Sequence, residues 1–349
     1  MDKVIDIKKL VRPNVLALEA YSSARDEYTS VGSKMIFLDA NENPNETGVN
    51  RYPDPQQKKL KTKLSEIKNI STKNILLGNG SDEVLDLIFR AFCEPAKDNI
   101  ITLPPTYGMY NVLAGINNVE SKEVLLTEDF QPKVEGIFKN VDSNTKLIFL
   151  CSPNNPTGNS FSRKKITEIL ERFEGLVVID EAYIDFSEQA SWIEELDKYP
   201  NLIITQTLSK AFGMAGIRLG ICYASEEIIA VLNKIKPPYN VNELTQNRAQ
   251  YRLQNISEVN REIAGILEQR ELLSKALLEF KYIEEIYRSD ANFVLIKVDD
   301  ASKRYSQLLN KGVVIRNRTN QPLCENTLRL TIGTKEENLK LIEVLKSLD

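Results

Sequence analysis

Thr207-Leu208-Ser209-Lys210-Ala211-Phe212-Gly213-Met214-Ala215-Gly216-Ile217-Arg218-Leu219-Gly220 follows closely on the apolar run from Leu202 to Ile204. A short apolar run bounded by polar residues reads as a strand buried on both faces. Lys210 therefore stands just past a strand end, and Arg218 brings a fixed charge eight residues later, among glycines. Similar runs lie on either side, at residues 75–77, 99–103, 122–126, 146–151, 176–179 and 220–223. Helical patterns separate several of them: Gly78-Asn79-Gly80-Ser81-Asp82 opens one through about Phe92, and another follows Pro104-Pro105-Thr106-Tyr107-Gly108. Unbroken apolar strands alternating with helices predict an α/β fold, with a mostly parallel sheet covered by helices.

Outside this region the pattern changes. Residues 1–33 read as an N-terminal arm with a short helix, residues 35–39 as a strand, and residues 56–67 as a helix. Residues 34–250 form the expected large, cofactor-binding domain. Residues 251–349 form a smaller α+β C-terminal domain, with a long helix over 257–280, strands at 292–298, 313–315 and 328–332, and a last helix from Glu336.

The 349 residues are 42% hydrophobic and 27% charged, the balance of a globular protein. The formal net charge of −4 disfavours non-specific nucleic-acid binding. With no long apolar run and no leader-like N-terminus, we expect no membrane association and a cytoplasmic location. The four cysteines are scattered, so a disulfide framework is not expected. Three sit in apolar stretches, whereas Cys324 sits in a polar one where exposure is expected. No histidine is present, which excludes a Ser-His-Asp triad, a Cys-His pair and a histidine-based zinc site. No metal is expected. Proton transfer near neutral pH falls to another group, and a lysine with a depressed pKa suits it.

Ligands in open α/β sheets collect at the carboxyl ends of strands. Three segments stand there: Ser152-Pro153-Asn154-Asn155-Pro156-Thr157-Gly158, Asp180-Glu181-Ala182-Tyr183, and the one around Lys210. An amine beside a phosphate-sized cluster of donors is what pyridoxal 5'-phosphate requires: the amine forms a Schiff base and the donors hold the phosphate. Lys210 is the candidate amine and proton carrier. Asp180 would sit against the pyridine nitrogen, and Asn155 and Tyr183 would reach the ring oxygen. Thr207, Ser209 and Arg218 are candidate phosphate ligands, joined by backbone N–H groups of Gly80, Ser81 and Asp82 at a helix start. That helix start is equally an ordinary cap, and the Asn-Asn-Pro-Thr-Gly stretch equally a plain turn. Tyr107 is placed to stack on a ring or to fill a core. Arg316 and Arg329 offer fork-shaped groups for carboxylate or phosphate. Arg318 beside Arg316 also fits a surface basic cluster, and Arg329 faces either solvent or a site.

These segments resemble the aspartate-aminotransferase-fold, class II pyridoxal-phosphate enzymes, and within them the histidinol-phosphate aminotransferases. The likeness runs from Tyr21-Ser22-Ser23-Ala24-Arg25 to Leu328-Arg329-Leu330-Thr331-Ile332-Gly333-Thr334. Its more specific pieces include Leu38-Asp39-Ala40-Asn41-Glu42-Asn43-Pro44, Arg51-Tyr52-Pro53-Asp54 and Pro104-Pro105-Thr106-Tyr107-Gly108-Met109-Tyr110. The resemblance implies transamination between L-histidinol phosphate and 2-oxoglutarate. It implies that Lys210 carries the cofactor, with Tyr107 stacked and the phosphate on Ser81, Asp82, Thr207, Ser209 and Arg218. It further implies a homodimer in which Tyr52 reaches the partner's site. Tyr21, Asn43, Arg316 and Arg329 would line the substrate site, with the two arginines on the substrate phosphate. The same fold serves aromatic or broad-range aminotransferases and threonine-phosphate decarboxylases. A DNA-binding regulator would need an added domain that this acidic chain does not show.

Overall fold

A computed structural model describes residues 5–19 and 36–348. Seven strands form the main sheet: β1 (Ile75–Asn79), β2 (Asn99–Thr102), β3 (Glu120–Glu123), β4 (Thr145–Cys151), β5 (Leu176–Asp180), β6 (Leu202–Thr207) and β7 (Leu219–Ala224). Their order is β1-β7-β6-β5-β4-β2-β3. The run from β6 to β3 is parallel, and β7 is antiparallel to both its neighbours. The fold is thus the expected mostly parallel α/β sheet covered by helices.

Burial on both faces explains the apolar runs. Alternate residues feed two cores: Ile148, Leu150, Val177, Ile179, Leu202 and Ile204 enter one, and Leu147, Phe149, Leu176, Val178 and Ile203 the other. Helices Lys58–Lys68 and Arg163–Arg172 cover the first face, and Ser81–Phe92, Met109–Ile116 and Glu226–Ile235 the second. Among the described residues no helix is long and apolar enough to cross a membrane.

A second, antiparallel sheet follows, from β8 (Ile283–Ile286), β9 (Phe293–Val298), β10 (Arg316–Asn317) and β11 (Thr327–Thr331), in the order β10-β11-β9-β8. Val294, Ile296, Leu328 and Leu330 pack in a third core beneath helix Lys335–Lys346, whose start carries a capping box between Thr334 and Glu337. The long helix Ile256–Leu277 gives Val259 to the main sheet's core and Leu273 and Leu277 to the third. The expected division after residue 250 falls inside helix Glu243–Gln254.

Some expectations are corrected. Among the described residues, 36–39 form no strand, and Ile36 and Leu38 are highly exposed. Residues 313–315 are not a strand either. The Val313 N–H closes the end of helix Ala301–Asn310 on Leu308 O at 2.9 Å, so pairing begins only at Arg316. The strand expected at 122–126 lies at Glu120–Glu123, a polar edge strand on β2. Cys324 is fully buried, because the turn from Gln321 to Thr327 folds over it through Cys324 N to Gln321 O and Thr327 Oγ1 to Cys324 O.

Candidate active site

The carboxyl ends of β4, β5 and β6 open into a cleft of about 500 Å³. Asp180 is the last residue of β5 and Glu181 the next, so they face opposite ways. Glu181 is consumed by structure: it accepts from Ser191 Oγ, the Trp192 N–H and Gln206 Nε2. Asp180 lines the cleft, accepting from Tyr110 Oη at 2.8 Å and the Ala182 N–H at 3.1 Å. Burial raises its pKa, and the Tyr110 hydroxyl opposes that rise. A buried carboxylate in this position favours a protonated ring nitrogen opposite it.

A cradle of backbone lies at the start of helix Ser81–Phe92. Gly80 caps the helix at φ +80°, and its N–H donates to Arg218 O at 3.0 Å. A Cβ on Gly220 would stand 2.2 Å from Ser81 N and 2.3 Å from Gly80 C. A Cβ on Gly80 would stand 2.6 Å from Arg218 Nη2. Glycine at both positions therefore lets β7 and the Arg218 side chain close on the helix start. Arg218 adopts φ +54°, and its guanidinium lies 3.5 Å from Asp82. Thr207 Oγ1 donates to Leu219 O and accepts from the Ser209 N–H, fixing the turn that leads into Lys210. Backbone N–H groups of the helix start, hydroxyls and a guanidinium gathered here could hold an anion.

Lys210 reaches the cleft, its Nζ 5.6 Å from the Tyr183 ring centroid. Burial and then Arg329 lower its pKa, while Asp180 acts the other way. Asn154 is buried and knits the loop, donating to Pro105 O and Thr157 Oγ1. Asn155, its neighbour, faces the cleft: Nδ2 lies 3.5 Å from Tyr183 Oη, and Oδ1 accepts from Arg329 Nη1. Arg329 and Arg316 reach the cleft from the second sheet, and Arg318 with them. Burial, then Arg318, pushes the pKa of Arg329 down to about 10. Tyr107 hangs over the cradle, its Oη donating to Asp82 Oδ1 at 3.1 Å.

Residues 29–345 match the family description aminotransferase class I and II. The chain belongs to the class I and II aminotransferases. It is 66% identical to a histidinol-phosphate aminotransferase of Christiangramia forsetii and 67% identical to one of Flavobacterium johnsoniae, over 99% of each chain in both cases. Among solved structures it is similar to the histidinol-phosphate aminotransferase of Clostridium acetobutylicum: 26% identical, TM-score 0.80, covering 86% of this chain and 91% of that one. Pyridoxal 5'-phosphate is the cofactor of this aminotransferase. The chemistry of the donor set fits it: the backbone cradle takes a phosphate, Asp180 a ring nitrogen, and Lys210 an aldehyde.

In this aminotransferase the cleft gathers Ser81, Asp82, Tyr107, Asn155, Asp180, Tyr183, Thr207, Ser209, Lys210, Arg218, Arg316 and Arg329 from the expected set. Gly80 lies directly beneath, against Arg218. Asn43 and Tyr52 do not line it; Tyr52 stacks on Tyr239 with centroids 4.5 Å apart. Tyr21 lies outside the described residues. Sequence reasoning missed Tyr110. It is fully buried on helix Met109–Ile116, stacked on Phe149, and its apolar setting hides the hydroxyl's bond to Asp180.

Proposed function

We propose that this aminotransferase transfers the amino group between L-histidinol phosphate with 2-oxoglutarate and imidazole-acetol phosphate with L-glutamate, a step of L-histidine biosynthesis. The observation that carries this reading is the polarity of the cleft. Lys210, Asp180 and the backbone cradle lie on the main sheet, while Arg316, Arg318 and Arg329 approach from the second sheet. The 66% and 67% identity to histidinol-phosphate aminotransferases over 99% of each chain supports it.

Pyridoxal 5'-phosphate supplies an electron sink that labilises the bonds at the substrate's Cα. Ser81, Asp82, Thr207, Ser209 and Arg218 would hold its phosphate, while Gly80, whose N–H is taken by Arg218 O, leaves room for them. Asp180 holds a proton on the ring nitrogen, and Tyr110 positions Asp180. Tyr107 would pack against the ring face, and Asn155 and Tyr183 would hold the ring oxygen. Lys210 Nζ, its proton affinity reduced by its surroundings, would move the substrate's Cα proton. Arg329, already oriented by Asn155, binds the anionic group of the amino donor, and Arg316 assists.

The large domain is read as residues 34–250 and the small one as 251–349. We read the enzyme as a homodimer in which Tyr52 reaches the partner's site, a reading supported by the exposed apolar side chains Ile36, Leu38 and Leu244, with Tyr21 and Asn43 as substrate-site residues. The cytoplasm is the expected location.

The test is spectroscopic. The protein loaded with pyridoxal 5'-phosphate is titrated with L-histidinol phosphate and with L-phenylalanine while the cofactor absorbance is followed. Conversion to the aminated form at micromolar histidinol phosphate, and only weakly by phenylalanine, is expected. A stronger response to phenylalanine refutes the substrate assignment, and turnover by Lys210→Ala refutes the assignment of the lysine.

A further inference from the structure

Arg316 on β10 stands opposite Arg329 on β11. The Arg318 N–H donates to Thr327 O at 2.9 Å, continuing that register past the end of the strand. Side chains alternate across a strand, so positions 316, 318 and 329 share one face while Leu328 and Leu330 enter the core. All three arginines line the cleft. Among the described residues, the titratable groups acting on Arg318 and Arg329 are the other arginines and Tyr183, with Cys324 added for Arg318, and no carboxylate. The Nε atoms of Arg318 and Arg329 are buried without a hydrogen-bond partner among the described residues. Arg318 is also held in place at its carbonyl, which accepts from the Gln321 N–H at 2.8 Å. Mutually repelling cations with unfilled buried donors are costly unless an anion joins them.

We propose that Arg318 is a specificity-determining residue that binds the terminal phosphate dianion of the amino substrate together with Arg316 and Arg329. The inference rests on the function proposed above. A phosphate ester offers three terminal oxygens and close to two negative charges, whereas a carboxylate offers two oxygens and one charge. Two forks satisfy a carboxylate; a third is matched to the extra oxygen and charge. Arg318 thus sets the preference for a phosphorylated substrate over its free alcohol.

The experiment compares kcat/KM for L-histidinol phosphate with that for L-histidinol in the pyridoxal-phosphate-loaded wild type and in Arg318→Gln. The ratio is expected to fall about tenfold or more in the variant, the scale of one charge-assisted hydrogen bond, and mainly through KM. Arg318→Lys should recover part of it, having the charge without the fork. The wild-type ratio should also fall as pH drops through about 6, where the phosphate ester loses its second charge, and the variant should follow that fall less steeply. Arg318→Met, with an apolar stem of similar length, serves if Arg318→Gln does not fold. An unchanged ratio, including an equal loss on both substrates, overturns the role of Arg318 alone. A wild type that does not turn over L-histidinol phosphate overturns the proposed function instead.

Discussion

Gly220→Ala tests whether the cofactor cradle depends on close backbone contact. The new Cβ would stand 2.2 Å from Ser81 N, 2.3 Å from Gly80 C and 2.5 Å from Gly80 O. All three are backbone atoms, so no side chain can swing away. Reaching the 3.0 Å that real Cβ contacts respect requires an opening of about 0.8 Å. The helix start resists it, since Val84, Leu85 and Ile88 behind it are fully buried. Overpacking of this kind costs about 1–3 kcal/mol, and the rigid neighbours place it near the upper end. The same shift stretches a hydrogen bond of about 2.9 Å to about 3.7 Å, beyond useful length. Losing one such bond to a phosphate removes about 1.5–3 kcal/mol, so the cofactor's Kd should rise roughly 10- to 100-fold. Titration with pyridoxal 5'-phosphate gives the Kd, and thermal melting of the cofactor-free protein gives the stability. Gly216→Ala is the matched control, because nothing lies within 4 Å of its added Cβ. A Gly220→Ala protein with wild-type Kd and wild-type Tm would refute the steric argument.

Two further outcomes follow from buried titratable groups. Tyr110→Phe deprives Asp180 of its 2.8 Å donor, at about 1–3 kcal/mol. Because the folded pKa of Asp180 is already raised, this cost is present when the carboxylate is ionised and disappears as pH falls. Melting curves of the cofactor-free variant should therefore lie further below wild type at pH 7 than at pH 4–5; a constant gap would contradict the assignment. Lys61 is the opposite case. Burial, then Lys236, lowers its pKa from 10.5 to about 8. The unfolded chain holds the proton more tightly, so Lys61 destabilises the fold fully below about pH 8 and progressively less as pH rises to 10.5. Lys61→Met should raise Tm at pH 7, with an upper limit of roughly 3 kcal/mol, and the gain should shrink above pH 8. A loss of stability at pH 7 would show that the ammonium is well accommodated.

The site was legible in the sequence where chemistry coincides with a strand end. Asp180 and Lys210 follow runs of residues apolar on both faces, and such runs have one reading in an α/β chain. Arg218 and the glycines beside it were visible as a pattern, but not the reason for them, which is the contact of Gly220 with Gly80 and Ser81. The direction of β7 was not legible, because burial on both faces carries no polarity. Strand β8 was missed because its Glu284 and Glu285 are exposed and dilute the apolar signal. The run at 313–315 misled for the converse reason: β-branched residues there follow a helix end that has already taken the Val313 N–H. Tyr110 looked like core and is core, with one polar atom that only the fold aims at Asp180.

The division of labour between the two sheets bears on how such an enzyme diversifies. Gly80 and Gly220 are interlocked with Arg218 and Ser81, because a Cβ on either glycine would enter space already taken. A library that varies either glycine alone should return variants with weakened cofactor binding and lowered stability. Arg316 and Arg318 sit on a two-residue strand and the turn beyond it, outside that interlocked set. Substrate preference can therefore drift by single steps while cofactor binding stays fixed, and selection for new amino donors should accumulate its changes around residues 316–321.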